Sequence, residues 1–62
     1  MPKPFADHPD QFTVGERVEV MTSTDPVVLE LGTVLATDGA VFVGFDGGRF
    51  ANFRPFQVRS VE

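Results

Sequence analysis

Few residues of this 62-residue chain have the types and spacing that catalysis needs. His8 is the one histidine and stands between an aspartate and a proline, so no second imidazole can complete a metal site or a Ser-His-Asp arrangement. The hydroxyl residues at 22–24 precede an Asp-Pro pair and are typical of a turn. Glu19 and Glu30 alternate with apolar residues, as exposed charges on strands do. The sequence therefore predicts no catalytic residue, no metal site and no cofactor.

The stretch VFVGFDGGRF, from Val41 to Phe50, contains two adjacent glycines after a strand-like segment. A phosphate-binding loop needs a helix after its glycines, with a lysine and a hydroxyl residue or a spaced glycine pattern. The sequence RFANFRPF follows instead, and it has neither helical periodicity nor lysine. Gly47 and Gly48 are therefore predicted to form a turn.

The aromatic residues are more informative than the polar ones. All seven are phenylalanine, and a small barrel has room for about two or three such rings inside. With Phe45 and Phe56 in the core, strand alternation leaves Phe42 exposed and turns either Phe50 or Phe53 outward. Aromatic surface beside arginine is typical of a protein interface. The predicted interaction residues are Phe42, Phe50, Phe53, Arg49 and Arg54.

Five short strands are predicted to position these residues, because alternating or β-branched stretches are separated by turn signals at close intervals. The predicted strands are residues 16–22, 29–37, 40–46, 49–54 and 58–61. Val18 and Val20 share one buried face in this pattern. Asp38 and Gly39 are typical of a type I′ hairpin turn, in which both central residues have positive φ. Residues 55–57 are predicted to form one 3-10 turn before the last strand.

Residues 1–11 contain three prolines, which favour extended backbone. They are predicted to form a flexible arm ahead of a single domain at residues 12–62. Phe5 and Phe12 could anchor the arm on the domain, or Phe5 could lie loose at a frayed terminus. In one alternative the arm covers the aromatic area around Phe42, and in the other that area is free to bind a protein.

The chain has a net charge of −4 and no cysteine. An acidic chain gains nothing from counterion release at a phosphate backbone, so nucleic acid is not an expected partner. Without disulfides or a Cys-based zinc site, self-association is one way left to stabilise so small a core. No apolar run reaches the roughly 18 residues of a membrane span, and the N-terminus lacks the apolar region of a signal peptide. A cytoplasmic protein without membrane contact is expected.

The order of these features over residues 14–61 resembles the SH3-like barrels of the Tudor and KOW kind. The resemblance implies an all-β fold, a five-stranded SH3-like barrel with an extended N-terminal arm. It implies shape more than activity, because this architecture hosts many functions. The residues that carry the resemblance are Gly15, Gly32, Thr33, Val34, Phe45 and Asp46.

Two families share this outline. The stretch FTVGERV at residues 12–18 is similar to the opening strand of the small plasmid-encoded type II dihydrofolate reductases, which act as tetramers with a shared pore. The catalytic Val-Gln-Ile-Tyr of that family would fall on residues 51–54, which read Ala-Asn-Phe-Arg, so the residues of that activity are absent. The Gly-Thr-Val step and the late Asn52-Phe53 pair are similar to the SH3-like small peripheral subunit of photosystem I, whose long loop between the last strands is missing.

Together these features predict a non-enzymatic protein–protein interaction module or accessory subunit that associates with itself or with another protein. The predicted contact is made by the face of the third and fourth strands. One alternative is a KOW-like barrel that binds single-stranded nucleic acid through phenylalanine and arginine. The other is an oligomeric reductase that binds NADPH.

Overall fold

The computed structural model describes residues 3–61 and contains one antiparallel sheet of five strands in the order β4-β3-β2-β1-β5. The strands are β1 (Arg17–Thr24), β2 (Val27–Ala36), β3 (Val41–Phe45), β4 (Phe50–Phe53) and β5 (Val58–Ser60). Within residues 3–61 the helical segments are two 3-10 turns, Pro9–Gln11 and Pro55–Gln57, and neither has the length to cross a membrane. The predicted all-β fold is confirmed.

One side of the sheet, the inner face, is packed with valine. The fully buried side chains are Val18, Val20, Val34, Val41, Val43 and Val58. The rings of Phe45 and Phe53 pack against this core with their centroids 5.6 Å apart, edge to face. The predicted burial of Val18 and Val20 is therefore confirmed.

Phe56 does not belong to the core, so that expectation is wrong. Its side chain is 57% exposed. It lies in the second 3-10 turn, where three residues complete a turn and neighbouring side chains point in different directions. The side-chain amide of Gln57 donates to the carbonyl of Met21 at 3.3 Å, which turns Gln57 toward β1 and leaves Phe56 pointing to solvent.

The connection between β2 and β3 differs from the predicted type I′ turn. It spans residues 37–40, and among residues 3–61 only glycines have positive φ, so Asp38 does not adopt the required conformation. A bulge also shifts the β2–β3 register between Val34 and Ala36, just before this connection. The predicted turn at the glycine pair is confirmed: Gly48 has a φ of 93° and donates its N–H to the carbonyl of Phe45.

β1 and β2 extend beyond the rest of the sheet as a two-stranded ribbon. β5 pairs with β1 only at residues 18–20, and β3 pairs with β2 only from Gly32 onward. Among the described residues, 21–24 and 27–29 therefore pair only with each other. Val27 near the tip is 64% exposed.

The N-terminal arm is docked on the domain from Phe5 onward. The N–H of Ala6 donates to the carbonyl of Val58 at 3.1 Å, so the arm lies along β5. Phe12 is 7% exposed and belongs to the valine core. The ring of Phe5 lies 5.1 Å from the guanidinium carbon of Arg59.

Candidate protein-interaction surface

The side of the sheet opposite the core, the outer face, carries an apolar area on β2, β3 and β4. All three leucines of the chain lie in it and are 37–48% exposed. A half-buried phenylalanine on β3 and a 66% exposed one on β4 continue it to the edge of the sheet. The outer apolar face consists of Leu29, Leu31, Leu35, Phe42 and Phe50.

The strand register places the leucines on this side. Leu31 lies opposite Glu19 and Leu29 lies opposite Met21, so both point away from the buried valines of β1. Leu35 follows the buried Val34 at the β2 bulge. A Cβ atom added to Gly44 of β3 would lie 2.9 Å from Cδ1 of Leu35, so the Leu35 side chain covers Gly44 on the outer face.

The two outer phenylalanines form a pair. Phe50 lies opposite Gly44, and Phe42 lies opposite Asn52, so both rings project from the same face. Their centroids are 5.6 Å apart with an interplanar angle of 69°, an edge-to-face geometry. The sequence left open which phenylalanine of β4 points outward. The structure places Phe50 outward and Phe53 inward. Because Phe50 is 66% exposed, the arm does not cover it.

Arg49 lies on the inner side of the sheet, because successive strand residues point to opposite faces. Its guanidinium carbon is 5.4 Å from the ring centroid of Phe45, and Nη2 is 2.6 Å from Oε1 of Glu30. Arg54 is exposed at the start of the second 3-10 turn, where its N–H donates to Oε1 of Gln57 at 3.3 Å. Of the five predicted site residues, the structure therefore brings together Phe42 and Phe50 only.

One ion pair crosses the outer apolar face at Thr33 of β2, between Leu31 and Leu35, and a second borders this face on the β1 side. Arg17 donates to both carboxylate oxygens of Asp46, at 2.8 and 3.0 Å, and to Oγ1 of Thr33 at 3.0 Å. Arg59 donates from Nε to Oε1 of Glu19 at 3.0 Å. With the Arg49–Glu30 pair, three of the five basic residues of the chain are held by carboxylates.

The Arg17–Asp46 pair makes stability depend on pH. The hydrogen bonds from Arg17 lower the pKa of Asp46 below its ordinary value of 3.8. A carboxyl whose pKa is depressed on folding stabilises the fold above its unfolded-state pKa, and this contribution is lost as the pH falls through the folded-state pKa.

We expect Asp46→Asn to lower the urea midpoint at pH 7 by a small amount, because both groups are exposed and solvent screens the pair. The difference from the wild type should disappear once the pH is below the folded-state pKa of Asp46. Urea titrations between pH 2 and 7 measure this, with Asp38→Asn as the control for the loss of one negative charge. A difference that stays constant with pH contradicts the assignment.

Side chains of the types that bind metal ions are dispersed over residues 3–61. No group of three His, Cys, Asp or Glu side chains in residues 3–61 lies close enough together to hold a metal ion. His8 is exposed, and its N–H donates to Oε1 of Gln11 at 2.8 Å. The side chain of Gln11 thereby accepts a hydrogen bond from the residue that precedes the 3-10 turn Pro9–Gln11.

Sequence reasoning missed the leucines. In the stretch LELGTVL, the odd-numbered positions hold three leucines and Thr33, and the even-numbered positions hold Glu30, Gly32 and Val34. The leucines therefore lie on one face of β2 and the buried Val34 on the other. Because only one face of a lone antiparallel sheet packs on the core, this pattern was the available signal for an exposed apolar face.

The described residues form a small all-β domain whose outer face carries exposed leucine and phenylalanine side chains. Comparisons with protein-family models, with curated proteins and with solved structures found no match.

Proposed function

We propose that this chain is a five-stranded SH3-like barrel that acts as a non-enzymatic protein–protein interaction module and associates with itself through the outer apolar face. The SH3-like assignment is supported by the position of β5 beside β1, the long β1–β2 hairpin and the 3-10 turn before β5. The observation that carries the function is the location of all three leucines outside the core.

This location is unfavourable for a monomer, because leucine is among the residue types that are most often fully buried. The core is built from the smaller valine instead. Apolar surface left in water forgoes about 25 cal/mol for each Å² that could be buried. A partner that covers the outer apolar face recovers this free energy.

Charge and area favour a second copy as that partner. The Arg17–Asp46 pair crosses this face at Thr33, and the Arg59–Glu19 pair lies at its β1 border. Because each pair is neutral, two chains of net charge −4 can meet there without opposing unpaired like charges. A standard interface takes about 800 Å² from each partner, about a fifth of the 4106 Å² surface of the chain. Self-association also enlarges the apolar core of a domain of marginal size.

The two alternatives have less support. Nucleic-acid binding draws on free basic side chains, and here Arg17, Arg49 and Arg59 hold carboxylates. In the stretch aligned with the reductase motif, Ala51 and Asn52 are exposed at the sheet edge and Phe53 packs inward. None of these three side chains can donate or accept a proton at neutral pH.

We expect Leu31→Lys to break the contact between outer apolar faces, because it places an ammonium group in the middle of each. The variant should fold normally, since Leu31 is 48% exposed and its new side chain lies opposite Glu19. Light scattering after size exclusion, over a range of concentrations, should give a wild-type mass above that of one chain and a lower mass for the variant.

Val61→Lys is the matched control, because it introduces the same charge at an apolar side chain that is 43% exposed outside the outer apolar face. It should keep the wild-type mass. A wild type that is monomeric at all concentrations, or a Leu31→Lys variant with the wild-type mass, contradicts the proposed function.

A further inference from the structure

The outer strand edge of β4 is a second feature that could bind a partner. Phe50 belongs to both features, its ring to the outer apolar face and its backbone to this edge. β4 ends the strand order on one side and pairs only with β3 among the described residues. An unpaired edge presents N–H and C=O groups that can bind another strand. Whether it does so depends on which groups point outward and on what protects them.

The backbone hydrogen bonds determine which groups of β4 point outward. The N–H of Phe45 donates to the carbonyl of Arg49 at 2.7 Å, which makes these two residues a hydrogen-bonded pair. Such pairs alternate with non-hydrogen-bonded ones in an antiparallel ladder, so Ala51 and Phe53 bond to β3. The N–H and C=O groups of Phe50 and Asn52 therefore point away from the sheet.

Apart from its shortness, this edge lacks the usual protection against strand pairing. Its four residues, FANF, include no proline and no charge, and its register with β3 is regular throughout. The other edge of the sheet is different, because the arm donates the N–H of Ala6 to the carbonyl of Val58 on β5. Head-to-tail pairing of β4 with the β5 of another copy would have to displace the arm.

We propose that two copies of this chain pair through β4, antiparallel, about a two-fold axis at Ala51. In this register Phe50 lies opposite the partner's Asn52, and the outward groups of both residues form the hydrogen bonds. Ala51 lies on the axis, opposite Ala51 of the second copy, and its small side chain allows the two strands to approach closely. Arg49 lies opposite the partner's Phe53, so no like charges face each other. The contact is isologous and closes on itself, and it does not depend on the outer apolar face.

A charge swap at Ala51 tests the pairing. Ala51 is exposed, so Ala51→Lys and Ala51→Glu should both fold. The experiment uses chains that also carry Leu31→Lys, so that only the β4 edge remains for association. The Leu31→Lys parent should have the mass of two chains. Each Ala51 variant alone should weaken that dimer at least about tenfold, because it places like charges at the axis.

An equal mixture of the Ala51→Lys and Ala51→Glu chains should recover the affinity of the parent, because opposite charges then meet at the axis. Thr24→Lys and Thr24→Glu, at the exposed hairpin tip, are the matched controls and should neither weaken the dimer nor respond to mixing. A monomeric parent, Ala51 variants with unchanged affinity, or a mixture without recovery would overturn the β4 pairing. Self-association through the outer apolar face is tested separately, by comparing the mass of the wild type with that of the Leu31→Lys variant.

Discussion

Phe12→Ala is expected to destabilise the domain by about 3–5 kcal/mol, the range for removing a buried phenylalanine side chain. Phe12 is 7% exposed and is the largest side chain among the buried core residues. A chain of 62 residues has about 3–9 kcal/mol of stability in total, at roughly 0.05–0.15 kcal/mol per residue. The variant should therefore lose from about a third to all of the stability of the domain at 25 °C.

Far-UV circular dichroism during urea titration measures this effect in a chain without tryptophan or tyrosine. Phe56→Ala is the control, because it removes the same ring from a position that is 57% exposed, and its midpoint should stay close to that of the wild type. If Phe12→Ala unfolds at the wild-type midpoint, Phe12 is not part of the core in solution and the N-terminal arm that precedes it is not docked through this residue.

Gly32→Ala has the second large expected effect, a loss of about 1–3 kcal/mol from overpacking. A Cβ atom at Gly32 would lie 2.6 Å from Cγ1 of Val43 and 2.9 Å from the carbonyl oxygen of Gly44. Val43 is fully buried and cannot move aside, and the carbonyl belongs to the neighbouring strand. Accommodating one methyl group therefore requires β2 and β3 to separate.

Gly47→Ala is the matched control, because a Cβ atom there has no neighbour within 4 Å and its φ lies outside the positive range that disfavours alanine. Its midpoint should equal or slightly exceed that of the wild type, since alanine reduces the freedom of the unfolded chain. Equal urea midpoints for the Gly32 and Gly47 variants would show that β2 and β3 are less tightly packed than the structure describes.

The strands and their inner face could be predicted from the sequence, because each depends on a local pattern. Val18 and Val20 alternate with charged residues, and Pro55 marks the 3-10 turn. Such signals depend on a few neighbouring residues. They are sufficient for an all-β chain and for the location of most of its turns.

The candidate surface could be predicted only in part, because it depends on register. Phe50 and Phe53 are three positions apart and must point to opposite faces of a strand, but only the turn after Phe45 determines which one is outward. The bulge between Val34 and Ala36 has no clear sequence signal, although it affects where Leu35 lies. The contact of Arg49 with Glu30 joins residues 19 positions apart, so it depends on the assembled sheet.

The two ends of β2 differ in local stability, because one end lies in the five-stranded sheet and the other lies in the β1–β2 ribbon. In the sheet, Val34 of β2 is fully buried and its N–H donates to the carbonyl of Glu16 at 2.9 Å. In the ribbon, residues 27–29 have only β1 as a neighbouring strand. Opening the ribbon breaks few hydrogen bonds and leaves the valine core intact, so its amides exchange with solvent through local fraying. We expect amides near Val34 to exchange only when the whole domain unfolds, so the two ends of β2 should differ in their exchange rates.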